Sequence, residues 1–161
     1  MSEIITISIS GQPVAKGRPQ FVKATGIAIT PKKTRAWEKD ARQVARMQMS
    51  GRKPIEGPVQ LTVIAFFVPS MSWPTWKQEA ALNGQVVHTA KPDLDNLVKA
   101  AKDAMNGIVW LDDAQVASSS ERKCYGDRPG VVITAQKLDL LPSQVKTRAA
   151  FTQFINSQKD K

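Results

Sequence analysis

The chain has 161 residues, a formal net charge of +9 and a single cysteine, Cys124. That length suits one domain that buries a core without staples, and one cysteine excludes an internal disulfide. No apolar run approaches the roughly 18 residues of a membrane span. The opening MSEIITISIS has no basic segment followed by an apolar one, so no signal peptide and a reducing, cytoplasmic location are expected.

The charge is uneven. Residues 1–53 hold 11 Lys/Arg against Glu3, Glu38 and Asp40, a local balance of +8, whereas the other 108 residues balance at +1. A basic half of this kind attracts a polyanion, a nucleic acid or an anionic membrane, and carries no sequence preference by itself.

EIITISIS alternates Ile5, Ile7 and Ile9 with Thr6, Ser8 and Ser10, which predicts a half-buried strand. GQPVAKGRPQF (residues 11–21) is a Gly/Pro-punctuated loop that presents Lys16 and Arg18, placed and charged to contact phosphate. FVKATGIAIT predicts a hairpin turning near Thr25-Gly26. From Thr34 the spacing of Trp37, Ala41, Val44, Ala45 and Gln48 predicts a helix ended by Gly51, with Arg35, Lys39, Arg42 and Arg46 on its outer face. PVQLTVIAFFVP is apolar on both parities, the pattern of a central strand. SMSWPTWKQEAALNG reads as a loop with a short helix. Its Trp73 and Trp76 either stack on unpaired bases or, more often for such residues, pack a loop onto the core. His88, the sole histidine, is read as an ordinary polar histidine rather than a general base.

KPDLDNLVKAAKDAMNGIVWLDDAQV follows (residues 91–116), then a strand near 114–123, a turn at GDRPG, a strand at Val131–Lys137 and a terminal helix within PSQVKTRAAFTQFINS, with Pro142 near its start. With no repeat, linker or low-complexity run, residues 1–161 are expected to form a single α/β domain, a mixed β-sheet with flanking helices.

The acidic unit has a geometry of its own. Leu94, Leu97, Val98, Ala101 and Met105 form one apolar stripe of a helix, Asp95, Lys99, Lys102 and Asp103 its opposite side, and Asp93 suits the N-cap. Asn106-Gly107 suits the helix end. From Asp95 to Asn106 the helix runs roughly 16 Å, and GIVWL, which has strand composition, spans about 20 Å from Gly107 to Asp113 when extended. A reversal at Asn106-Gly107 therefore predicts that Asp112-Asp113 return beside Asp93 and Asp95. Clustered carboxylates raise one another's pKa and call for a divalent cation, and hard oxygen donors suit Mg²⁺, with Mn²⁺ as substitute. Each acidic feature also has an ordinary structural account: favourable placement at a helix start, an Asp95–Lys99 pair one turn apart, and a solvated turn at Asp112-Asp113. An EF-hand is excluded, because its fifth and sixth positions, counted from Asp93, fall on Leu97 and Val98.

At these residues the chain resembles the RusA-type Holliday junction resolvases of bacteria and their phages. The resemblance rests on DLDNLVK followed by LDDAQV with KAAKDAMNG between, is supported by GQPVAKGRPQF, and covers roughly residues 5–137. Residues 138–161 stand outside it as a C-terminal extension, expected to be helical. The resemblance implies a small α/β homodimer that resolves four-way junctions by paired, Mg²⁺-dependent nicks in DNA recombination and repair, in a bacterial cytoplasm and from a chromosomal or phage gene. It places the three metal-binding aspartates on Asp93, Asp95 and Asp113 and the essential lysine on Lys99. It also matches the family's asparagine at Asn96, which with Lys16, Arg18 and Lys91 is assigned to DNA binding. Two alternatives stay open: a metal-dependent nuclease for other branched DNA, and a non-catalytic DNA-binding protein. The acidic unit counts against the second, since acid beside bound DNA weakens affinity unless metal neutralises it.

Overall fold

The structure is a computed structural model that describes residues 3–138 and 147–159. Its centre is a four-stranded sheet of β1 (Ile4–Ser10), β4 (Val59–Phe67), β5 (Val116–Tyr125) and β6 (Gly130–Lys137), in the order β1-β6-β4-β5. β6 runs antiparallel to both its neighbours, and β4 and β5 are parallel. A parallel pair needs a long crossover, and here it carries α2 (Thr75–Leu82) and α3 (Leu94–Met105). β2 (Gln20–Val22) and β3 (Ile27–Ile29) form a separate hairpin ahead of α1 (Lys32–Met49), and α4 (Arg148–Lys159) ends the chain. The mixed α/β sheet matches the class expected from the sequence. No helix among the described residues is long and apolar enough to cross a membrane.

The alternation in β1 puts Ile5, Ile7 and Ile9 inside and Thr6, Ser8 and Ser10 outside. A slip of one residue would expose all three isoleucines, each contributing about 1.5–3 kcal/mol on burial, which fixes the register. β4 buries Val59, Leu61, Val63, Ala65 and Phe67 on the same side, while Thr62, Ile64 and Phe66 on the other face stay half-exposed. α1 and α3 cross each other on the buried side, α1 against β1 and α3 against β4 and β5. The core closes over Ala41, Ala45, Met49, Val98, Ala101, Met105 and the fully buried Trp110.

α1 starts two residues before the expected Thr34, because Pro31 sits at the N-cap with extended backbone. It stops where Ser50 and Gly51 turn left-handed, at φ 48° and 79°. Gln48, expected on the apolar stripe, is exposed; its amide bonds both the N–H and the carbonyl of Ser8, at 2.9 and 2.8 Å, covering the free edge of β1.

Three expectations need correction. GIVWL is not a strand. Gly107, at φ 76°, lets Ile108 and Val109 both donate to the carbonyl of Met105 while the Gly107 N–H bonds Trp110 O, so the segment is a tight turn that buries Ile108, Val109 and Trp110 and leaves Leu111 exposed. Short apolar runs do not distinguish a strand from such a plug. Arg42 does not face solvent with its neighbours. It is half-buried and donates from Nη1 to the carbonyls of Asp103 and Ala104, at 3.0 and 3.4 Å, satisfying the open C-terminal end of α3. The strand expected near 114–123 begins at Val116, behind a short 3₁₀ turn at Asp113–Gln115. In the C-terminal segment, α4 spans Arg148–Lys159 and buries none of its residues; Pro142 lies outside the described residues.

Candidate active site

α3 shows its acidic and basic residues along one cavity of about 640 Å³, whose lining includes Asp95, Lys99, Lys102, Asp103, Asp113 and Glu121. Asp95 stands in the first turn of the helix, where the macrodipole favours a carboxylate. Asp93 is the N-cap residue; its side chain is exposed, makes no capping bond and does not line the cavity. Among the described residues no three His, Cys, Asp or Glu side chains form a ready-made ion site.

The two adjacent aspartates before β5 have separate tasks. Asp112 Oδ1 accepts from the Ala114 N–H at 2.7 Å, and Gln115 Oε1 accepts from the Asp112 N–H at 2.8 Å, a capping box that shapes the 3₁₀ turn. Gln115 also donates to the carbonyls of Ile55 and Gly57, fastening that turn to the neighbouring loop. Asp113 instead turns toward the cavity, and its Oδ1 accepts from the indole N–H of Trp110 at 2.9 Å.

Glu121 was not singled out from the sequence. In β5 it lies opposite Val63 of β4, so its parity points it to the helix side of the sheet, where Ser119 donates to it. No sequence signal marks it: VASSSERKCY is polar on both parities, and the face of Glu121 follows only from its pairing with Val63.

Lys99 lines a second cavity as well, of about 330 Å³, shared with Lys16, Gly17, Arg18, Pro19 and Asn96. The loop that supplies Lys16 to Pro19 is held on α3 and α1. The Lys16 N–H donates to Asn96 O at 2.8 Å, the Gly17 N–H to Thr34 Oγ1 at 3.1 Å, and the Thr34 hydroxyl to Ala15 O at 3.2 Å. Gly17 is required there, since a Cβ would stand 2.7 Å from Pro31 Cγ. Arg18 is exposed beside the cavity, and Lys91 borders a neighbouring hollow with Lys33 and Pro92.

Lys16 is bound within the protein. Its ammonium meets Glu38 Oε1 at 2.6 Å and Asp103 Oδ2 at 2.7 Å. Burial of the ammonium opposes its charge, but the bonds to Asp103 and Glu38 together outweigh that cost and raise its pKa above the ordinary lysine value. These two ion pairs are the only ones among the described residues, so Lys99 is paired with neither Asp95 nor Asp103.

His88 is buried, its ring stacked on Phe67 at 3.9 Å and tilted against Tyr125 at 5.2 Å. Burial, then the nearby Lys123 charge, lower its pKa below the ordinary histidine value. Lys123 itself donates to the carbonyls of Ala90 and Pro92, holding the loop that leads into Asp93. Trp73 packs edge-on against Tyr125 with Lys77 over its ring, whereas Trp76 is exposed.

An α/β domain with carboxylates and an unpaired lysine in one cavity, beside a basic loop, has the parts of a phosphodiester-cleaving protein. Comparison with known proteins agrees. Residues 10–136 match the family model described as Endodeoxyribonuclease RusA. The chain is also similar to the uncharacterized protein YqaN of Bacillus subtilis (strain 168), with 32% identity over 141 residues, covering 84% of this chain and 98% of the relative. The chain belongs to the RusA endodeoxyribonuclease family, the Holliday junction resolvases that its aspartate motif resembles.

Proposed function

We propose that this chain is a divalent-metal-dependent endonuclease that resolves four-way DNA junctions by paired nicks, acting as a homodimer. The observation that carries this reading is the position of Lys99, unpaired and common to both the acidic cavity and the basic one. A phosphate drawn to Arg18 and Asn96 in the second cavity would lie within the reach of Lys99 and next to the carboxylates of the first.

The donor chemistry fits a hard cation. Asp95 and Asp113 offer carboxylate oxygens in one cavity, with Glu121 on the facing strand. Mg²⁺ typically takes one or two protein carboxylates and keeps several waters and substrate oxygens, so the lack of a closed three-carboxylate cage does not count against it. Asp95 and Asp113 would hold the ion, joined by Asp93 if its exposed side chain swings in. When bound, such an ion supplies activation of water and stabilisation of the leaving oxygen.

The remaining steps belong to the protein. Trp110 orients Asp113, as partners behind a ligand usually do. Lys99 places a positive charge where the phosphate gains charge in the transition state. Arg18, Asn96 and Lys91 hold the sugar–phosphate backbone and set the register of the strand. Lys16 acts here through the loop, by fixing it to Glu38 and Asp103, more than by direct contact with DNA. The half-exposed sheet face bearing Ile64, Phe66 and Val132 supports a second copy as its cover, and two copies would bring two sites to two strands.

The test is cleavage of an end-labelled synthetic four-way junction in Mg²⁺ and in EDTA. Symmetrical nicks near the branch point in Mg²⁺ alone are expected. Cutting that persists in EDTA, or a junction left whole in Mg²⁺ and Mn²⁺, would overturn the proposal.

A further inference from the structure

The β2–β3 hairpin is too apolar for where it stands. All residues of both strands are exposed, Phe21 at 74%, Ile27 at 59%, Ile29 at 37% and Val22 at 36%. Phe21 pairs with Ala28 on one face, and Val22 pairs with Ile27 on the other, so neither face is polar. A lone two-stranded ribbon of this size is marginal in water, and a cluster of exposed apolar side chains marks a binding surface.

The surroundings indicate what covers it. Besides the internally paired Lys16, residues 11–37 carry Arg18, Lys23, Lys32, Lys33 and Arg35 and not one Asp or Glu. A cationic segment without acid is complementary to a polyanion. The hairpin also starts one residue after Pro19, the edge of the cavity shared by Arg18, Asn96 and Lys99. A strand seated on that cavity therefore passes the base of the hairpin. Phosphate binding alone has no use for a phenyl ring, and the bases of intact duplex are already stacked on each other. Bases freed at a branch point offer the flat apolar faces that such a ring can cover.

We propose that the hairpin is a branch-point wedge, with Phe21 stacking on an unpaired base of DNA whose backbone lies in the Arg18–Lys99 cavity. This rests on the junction-resolving activity proposed above, and it adds the element that tells branched DNA from duplex.

The experiment measures affinity in EDTA for a four-way junction and for a duplex of the same sequence, over a range of salt, for the wild type, Phe21→Ala and Phe21→Tyr. Phe21→Ala is expected to lose about tenfold or more on the junction and less than about twofold on the duplex, the scale of one lost base–aromatic stack. The salt slope should not change, because no phosphate contact is removed, and Phe21→Tyr should bind like the wild type. Equal losses on both DNAs, or no loss on either, overturn the wedge. So does a fall in the sedimentation mass of Phe21→Ala, which would make a second copy of the chain the hairpin's cover. A wild type that cuts and prefers junctions while Phe21→Ala is unchanged sinks the wedge alone; a wild type with no junction preference sinks the resolvase reading and the wedge with it.

Discussion

Trp110 donates its indole N–H to Asp113 Oδ1 at 2.9 Å, and the ring that makes this bond is fully buried in the core. The bond joins the packing of the domain directly to a carboxylate of the cavity. An aspartate in an exposed turn would sample several rotamers; this one has a fixed donor on a side chain that cannot move without disturbing the core.

Trp110→Phe is expected to remove that donor while keeping most of the apolar volume. Stability should fall by about 1–3 kcal/mol, less than the 3–5 kcal/mol of truncation to alanine. The Mg²⁺ concentration for half-maximal cleavage should rise by about tenfold or more, the usual effect of losing a group that orients a metal ligand. Cleavage at saturating Mg²⁺ should recover much of its rate. A metal dependence identical to that of the wild type would detach Trp110 from the site.

The capping box at Asp112 and the cavity-facing Asp113 predict opposite phenotypes for neighbouring residues. Asp112→Ala removes the acceptor for the Ala114 N–H and should cost about 0.5–2 kcal/mol, with cleavage retained. Asp113→Asn is nearly isosteric and still accepts from Trp110, so melting and junction binding should hold while cleavage is abolished, since a neutral amide is a poor ligand for a hard cation. Thermal melting and single-turnover cleavage on both variants check the pair. Normal cutting by Asp113→Asn would remove this aspartate from the proposed chemistry.

Much of this arrangement is legible along the chain. The period-two isoleucines give β1, the Thr25-Gly26 turn gives the hairpin, and the 3.6-residue stripe from Leu94 to Met105 gives α3. What hides is whatever depends on partners distant in sequence. Arg42 looks like one more basic residue on an outer helix face until α3 lies across α1 and presents its last carbonyls. Lys16 looks like a free phosphate contact until Glu38 and Asp103 close on it. GIVWL has the composition of a strand, but only the packed core decides that Ile108, Val109 and Trp110 plug a turn rather than line a sheet. Glu121 hides for the same reason: β5 is polar on both parities, so only its pairing with β4 turns this acid toward the cavity of Asp95 and Asp113.

His88 should affect stability rather than catalysis. Its folded pKa is depressed, so the native state favours the neutral ring and the unfolded chain binds the proton more readily. Its contribution is complete above the ordinary value of 6.5 and is lost as pH falls below that value toward the folded pKa. His88→Gln is expected to lose part of the stack on Phe67, to show a shallower fall in melting temperature below pH 6.5, and to keep its neutral-pH turnover. Loss of a general base would instead reduce turnover by about 10²–10⁴. Melting curves and cleavage rates across the same pH series separate the two outcomes.

Lys99 is expected to act in chemistry and not in folding. Along α3 it stands between Asp95 and Asp103, one turn from each, and an ion pair at that spacing would make it a surface stabiliser contributing about 0.3–0.5 kcal/mol. The structure gives Asp103 to Lys16, leaving the ammonium of Lys99 exposed at the boundary of the two cavities. A side chain with no partner in the protein contributes little when removed, so Lys99→Ala should melt within a degree or two of the wild type, as surface substitutions usually do. Its effect should appear when the phosphate reacts: single-turnover cleavage should fall by about 10² or more, the scale for one lost transition-state charge contact, with junction affinity reduced far less. Lys99→Arg keeps the charge but not the compact ammonium, and partial rescue by it would show that charge, more than shape, is what the site uses. The decisive measurement is single-turnover cleavage at saturating protein, which removes binding from the comparison. Full activity of Lys99→Ala under that condition would leave the lysine with no part in the reaction.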